Sequence, residues 1–206
     1  MARGVSSKAL GRRLSSDERR EEILNAAGRA LSDQGFLPLP FEQIAREAGI
    51  SKALIYVYFR TPTALYNALL ERALQPLAAE LRRKRRGGLE ARLVAAAQIY
   101  FDDVATHGSL LHLLLTDVFL DGDRSARAIN TRNALWRHFA RASRAYVKLP
   151  PHERVAALAI LLAIPEETGR LAYRGELARE RARELCGRLV LSSLRGLRES
   201  GAAKSA

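Results

Sequence analysis

Phe41-Glu42-Gln43-Ile44-Ala45-Arg46-Glu47-Ala48-Gly49-Ile50-Ser51-Lys52-Ala53-Leu54-Ile55-Tyr56-Val57-Tyr58-Phe59 is the stretch that decides the fold. Its first half reads as a short amphipathic helix. Gly49 stands where a chain turning between two short helices takes positive φ, and Ser51 offers a hydroxyl to cap the next helix. Ile44, Ala45, Ala48, Ile50, Ile55 and Phe59 fall where they hold the two helices together, small Ala45 and Ala48 permitting close approach. Lys52, Ala53, Tyr56 and Tyr58 are left for the exposed side. These are the parts of a helix-turn-helix, whose second helix enters the major groove of DNA.

Working outward, apolar residues recur at helical spacing almost everywhere and strand patterns are scarce, which predicts an all-α chain of about nine helices. Ser16 precedes Asp17 and Glu18, a capping hydroxyl followed by acids, and opens a helix over about 16–33 that stops at Gly35. Pro40 suits the first turn of a helix over about 40–48, and Thr61-Pro62 opens another that runs to the basic stretch Arg82 to Arg86 before Gly87-Gly88. Further helices are expected over about 52–58, 89–107, 109–119, 123–148, 151–173, kinked or broken at Pro165, and 176–199. The expected organisation is a basic tail over 1–15, a three-helix reading head over 16–62, a helical regulatory and dimerisation domain over 63–200, and a disordered tail over 201–206.

The resemblance is to the TetR/AcrR family of bacterial regulators. It is carried by Arg20, Ile23, Leu24, Ala26, Ala27, Leu31, Gly35-Phe36, Ile44-Ala45, Ala48-Gly49-Ile50-Ser51, Tyr56-Val57-Tyr58-Phe59 and Leu65. It implies that Ser51, Lys52, Ala53, Tyr56 and Tyr58 face DNA. The chemistry agrees: the N–H groups and hydroxyl at the start of the second helix suit a phosphate, Lys52 adds charge, and Ala53 lets the helix sit deep or touch a thymine methyl. Two positions depart from the family pattern. A hydroxyl residue usually opens the first helix of the motif and a lysine opens the helix after it, whereas Leu39-Pro40 and Pro62 stand here. Arg46, Arg60 and Thr61 are the substitutes on hand, with Arg12 and Arg13 in the tail, near Lys8, as a basic arm.

Charge supports a polyanionic partner: 34 Lys and Arg against 22 Asp and Glu leave +12. A membrane is disfavoured, because no apolar run approaches the ~20 residues needed to span one. The longest, Val155 to Ile164, is followed by Pro165, Glu166 and Glu167. A single cysteine, Cys186, makes no internal disulfide, fits the cytoplasm and is expected as core packing.

The remaining helices carry no equally specific motif. The family resemblance implies a ligand pocket among the middle helices and a two-fold dimer made by the last two. Candidate pocket residues are Tyr100, Val104, His107, Leu111, Leu115, Phe119, Trp136, Phe139 and Tyr173, with Phe101 and Leu114 behind them. Ala159, Leu162, Leu185, Leu189, Ser192 and Ser193 are the candidate dimer contacts. Arg137, Arg141, Arg144 and Lys148 recur on one side of a helix, most simply a solvated face. His107, His112, His138 and His152 show no metal-ligand spacing, and no nucleophile elbow, phosphate loop or His-Glu-x-x-His is present, so neither a metal, a cofactor nor catalysis is expected.

The expectation is therefore a ligand-responsive transcription regulator, a homodimer on a near-palindromic operator, released as a repressor by a small-molecule effector. A loosely specific basic DNA-coating protein, or a ligand- or partner-binding protein with a degenerate reading head, are the alternatives the sequence leaves open.

Overall fold

The computed structural model describes residues 14–82, 88–120, 122–146 and 149–203. The proposed basic arm at Arg12 and Arg13, most of the run Arg82 to Arg86, Lys148 and the last three residues lie outside that set, as does the side chain of Phe139. Among the described residues the chain is all-α, with no strand. Its helices are α1 (Ser16–Gln34), α2 (Phe41–Ala48), α3 (Lys52–Tyr58), α4 (Pro62–Arg82), α5 (Leu89–His107), α6 (Leu110–Thr116), α7 (Ala126–Tyr146), α8 (Pro151–Tyr173) and α9 (Arg179–Ala203), with a 3-10 turn at Val118–Leu120.

Local chemistry sets most boundaries. Ser15, rather than Ser16, caps α1: its hydroxyl accepts from the Glu18 N–H while the Glu18 carboxylate accepts from the Ser15 N–H, a reciprocal capping box. Pro40 stands one position before the first turn of α2, in extended conformation, and its carbonyl accepts from Gln43 at 3.0 Å. At the other end Gly49 takes φ 65°, its N–H reaching the Arg46 carbonyl while the Ile50 N–H reaches Ala45, which closes α2 in a Schellman pattern.

The later helices differ from expectation at several ends. α6 is shorter than 109–119 because Asp117 caps a separate turn, its side chain accepting from the Phe119 N–H at 2.8 Å. α7 starts at Ala126 because the Ser125 hydroxyl caps it, accepting from Ala128 at 3.1 Å. Pro165 does not break α8 into two elements; one missing N–H is tolerated in a 23-residue helix packed on both α5 and α9. Gly175 ends α8, and the Glu176 and Leu177 N–H groups turn back to the Leu171 carbonyl, so α9 begins only at Arg179. It then continues through Ala203, where a disordered tail from Gly201 was expected.

Two apolar clusters hold the molecule. One runs without a break from Ile23, Leu24 and Leu31 through Ile44, Ile55 and Phe59 to Leu65, Tyr66, Leu69 and Leu70 of α4, and on to Leu111, Leu114 and Leu135. The other joins Leu93 and Phe101 of α5 to Ala182, Cys186, Val190 and Leu194 of α9. α4 is the bridge. Its Asn67 exchanges bonds with the backbone at Asp123 and Ser125, Glu71 accepts from the Ser125 hydroxyl at 2.6 Å, and Arg72 reaches back to Glu21 and Asn25 of α1. A second tie joins the Ser32 hydroxyl of α1 to the His107 carbonyl at the end of α5.

Candidate nucleic-acid interface and internal cavity

The reading head presents the start of α3 to solvent. Ser51, Lys52 and Ala53 are exposed, and Ile55 on the opposite face is fully buried. The Ser51 oxygen already accepts from the Leu54 N–H at 3.2 Å, so toward a phosphate only its O–H remains to donate. Lys52 is paired with the Glu42 carboxylate and lies 5.7 Å from the centre of the Tyr56 ring. Tyr56 packs one side against buried Phe41, ring centres 5.0 Å apart, and leaves the other in water. Arg46, Arg60 and Thr61 are exposed around this surface, and Thr61 caps α4 by accepting from Ala64 at 3.1 Å.

Tyr58 corrects the sequence reading in part: it is half-buried and packs against the core of the head, because it falls on the same side of α3 as Ile55 and Leu54 rather than beside Tyr56. Val57, which the motif reading passed over, is 75% exposed, the largest apolar side chain on the solvent side of α3 after Tyr56. Glu42 was also missed; it meets Lys52 across the turn, a relationship that no helical spacing reveals.

At the first of the two positions that depart from the family pattern, the chain has an internal support. Leu39 is buried beside Pro40, and the Tyr66 hydroxyl accepts from its N–H at 2.7 Å and donates to its carbonyl at 3.0 Å. Burial pushes the Tyr66 phenol above its ordinary pKa, which keeps the donating proton in place.

The second feature is a cavity of about 670 Å³ among α4, α5, α6, α7, α8 and α9. Tyr100, Leu111, Leu115 and Trp136 line it, as do Leu74 and Leu77 of α4. Other candidates lie elsewhere for identifiable reasons. Val104 fills the α5–α8 crossing against Gly169, where an added Cβ would stand 2.7 Å from the Val104 Cβ. His107 pairs with Asp103 one turn back, Phe119 packs edge-on to Tyr66 at 6.0 Å, and Tyr173 lies against Gly108 and Asp33 near α1. The polar lining was not anticipated: Glu166, which accepts from the Tyr100 hydroxyl, and His112, Thr116, Arg132, Asn133 and Arg154. Among the described residues no group of three or more His, Cys, Asp or Glu could hold a metal ion.

The dimer candidates split. On α8 and α9, Ala159, Leu162, Leu189 and Ser192 are exposed, as are Val155 and Ile160, while Leu185 and Ser193 are half-buried. Ala159 and Leu162 also border the cavity. Arg137 and Arg141 are exposed, and Cys186 is buried against α5. Among the described residues no helix is long and apolar enough to cross a membrane.

A family model described as bacterial regulatory proteins of the tetR family matches residues 23–69, from inside α1 into α4. Over these residues, the reading head and the start of α4, the chain is similar to the tetR family. Over 94 residues it is 36% identical to the HTH-type transcriptional activator FasR of Mycolicibacterium smegmatis, covering 45% of this chain and 43% of that one, so it aligns with less than half the length of FasR. It is 27% identical over 169 residues to the HTH-type transcriptional regulator BetI of Cronobacter sakazakii, covering 80% of this chain and 70% of the other. Its fold is similar to that of a TetR-like transcriptional regulator from Rhodococcus sp. RHA1, with TM-score 0.65 at 22% identity, over 89% of this chain and 100% of that one.

Proposed function

We propose that this chain is a ligand-responsive repressor of the TetR family, a cytoplasmic homodimer that holds a near-palindromic operator and is released when a small molecule enters the cavity. The observation that carries the reading is the double membership of α4: Leu74 and Leu77 line the cavity, while Leu65 and Tyr66 of the same helix are buried in the core of the reading head. A ligand that displaces the middle of α4 therefore moves the head with it. An effector that prefers the DNA-free geometry by ~1–3 kcal/mol weakens operator binding about 5- to 150-fold.

In this reading Ser51, Lys52, Ala53, Tyr56 and Val57 enter the major groove, and Arg46, Arg60 and Thr61 contact flanking phosphates. One seven-residue helix offers few base contacts, so two heads about 34 Å apart, or a multiple of it, are needed for specificity. The exposed Val155, Ile160, Leu162 and Leu189, with Ala159 and Ser192 among them, support pairing through α8 and α9. A second reading, activation, is favoured by the name of one relative, the transcriptional activator FasR.

Selection of bound fragments from genomic DNA tests the proposal. Recovery of an inverted repeat bound by one dimer, with transcription from the adjoining promoter falling when the protein is added, is the expected result. A rise in transcription selects the activator reading, and failure of any sequence to be enriched favours the DNA-coating or degenerate-head alternatives.

A further inference from the structure

The geometry points to an anionic single-chain amphiphile as the cavity's ligand, its apolar chain inside and its carboxylate or phosphate head on Arg132 and Arg154. This inference rests on the cavity being the effector site proposed above. The walls from α4, α5, α6 and α8 are mostly Leu and Ala, with Tyr100, His112, Thr116 and Glu166 as polar groups besides Arg154, and a space of about 670 Å³ lies within the range of small-molecule sites. The Leu and Ala side chains, which make up most of the lining, give no hydrogen bond to a polar ligand and so favour one with a large apolar body.

The head group follows from how charge is distributed around that apolar space. Arginines elsewhere on α8 and α9 are matched with acids: Arg170 with Glu167, Arg183 with Asp102, Arg195 with Glu90. The two on the cavity lining are not. Among the described residues neither Arg132 nor Arg154 meets a carboxylate, and Arg132 has only a 3.4 Å contact to the Asn133 amide oxygen. Arg132 comes from α7 and Arg154 from α8, so two helices bring guanidinium groups to one cavity, an arrangement that suits the several oxygens of a carboxylate or phosphate. The carboxylate on the lining, Glu166, accepts from the Tyr100 hydroxyl, and preference for the cationic probe below is the outcome that would assign the head group to it instead.

Trp136 lines the same cavity and is the only tryptophan in the sequence, so its emission reports occupancy directly. The full chain is titrated below micelle concentrations with dodecanoate, dodecyl phosphate, dodecanol and dodecyltrimethylammonium, following Trp136 emission and the thermal midpoint. One or both anions are expected to bind at least about tenfold more tightly than the alcohol and the cation, since each hydrogen bond to a charged group is worth that much or more. The stronger anion identifies the head group. Arg132→Gln with Arg154→Gln is expected to remove the preference and leave dodecanol binding unchanged, and Arg132→Lys with Arg154→Lys to restore part of it. Equal binding of the alcohol, preference for the cation, or an anion preference that survives the double glutamine variant overturns the inference while leaving the effector cavity standing. If none of the four probes alters Trp136 emission or the midpoint, the effector-site reading falls as well.

Discussion

Lys52 and Glu42 form an ion pair across the turn of the reading head, so the cation best placed for a DNA phosphate is already held by an acid of the protein itself. The Lys52 ammonium holds the Glu42 carboxyl below its ordinary pKa of 4.5, chiefly through the hydrogen bond between them. A lowered carboxylate pKa means the pairing is fully present above the ordinary value and is lost only as pH falls through the lowered one. On the proposed reading of α3, then, Glu42 competes with DNA for Lys52 at neutral pH.

Glu42→Gln is accordingly expected to strengthen binding to operator and random DNA alike, by about 2- to 5-fold at low salt, because an exposed pair is a weak competitor. Its plot of log affinity against log salt should steepen by up to ~0.9 for each additional phosphate that the freed cation neutralises. Fluorescence anisotropy across a salt series measures both, and weaker binding by the variant would mean that Glu42 positions Lys52 rather than withholding it.

Tyr66→Phe removes a donor and an acceptor from the Leu39 backbone, which is buried and has both groups on that one hydroxyl. The expected loss of stability is ~1–3 kcal/mol, seen in chemical denaturation at unchanged m-value. A loss of a few tenths would show that water replaces the phenol.

At the α5–α8 crossing the helices touch because residue 169 has no side chain; a Cβ there would meet Val104 and lie 3.1 Å from the Phe101 carbonyl oxygen. Gly169→Ala gains helix propensity but forces the helices apart, and overpacking of this kind costs ~1–3 kcal/mol. A thermal midpoint equal to or above that of the parent contradicts the packing assigned to this crossing.

Burial raises the Cys186 thiol above its ordinary pKa of 9.0, so at pH 8 it stays protonated as well as inaccessible. Labelling by a disulfide reagent is expected to be slower in the native chain than in denaturant by a factor of roughly 10³ or more, corresponding to an opening of ~4 kcal/mol or above. Rapid labelling of the native chain would place α9 loosely on α5.

What could be read from the sequence was what is local. Gly49 and Ser51 act on their own neighbours, so a turn and a cap spaced two residues apart were sufficient to place α2 and α3. The misassigned cap of α1 has the same origin: Ser15 and Ser16 are adjacent hydroxyls, and only the position of Glu18 relative to each decides which one caps. The cavity depends on which side of each helix faces it, and residue type does not carry that. Leu115 and Phe119 are one turn apart on the sequence, yet Leu115 lines the cavity while Phe119 belongs to a separate 3-10 turn and packs on Tyr66. Arg132 and Arg154 looked like any other cations of a basic chain, because which of the described acids lie beside an arginine is a property of the fold.

That the exposed side of α3 enters a DNA groove is the central claim, and it is tested most directly by the affinity of the genomically selected operator for the parent chain and for Ala53→Glu. Ala53 is exposed, so the substitution leaves the core untouched while placing a carboxylate against bases and phosphates. The predicted result is a parent that prefers operator over random DNA by at least ~10³, and a variant of unchanged thermal midpoint that has lost at least ~100-fold in operator affinity. Operator binding by Ala53→Glu equal to that of the parent would contradict it.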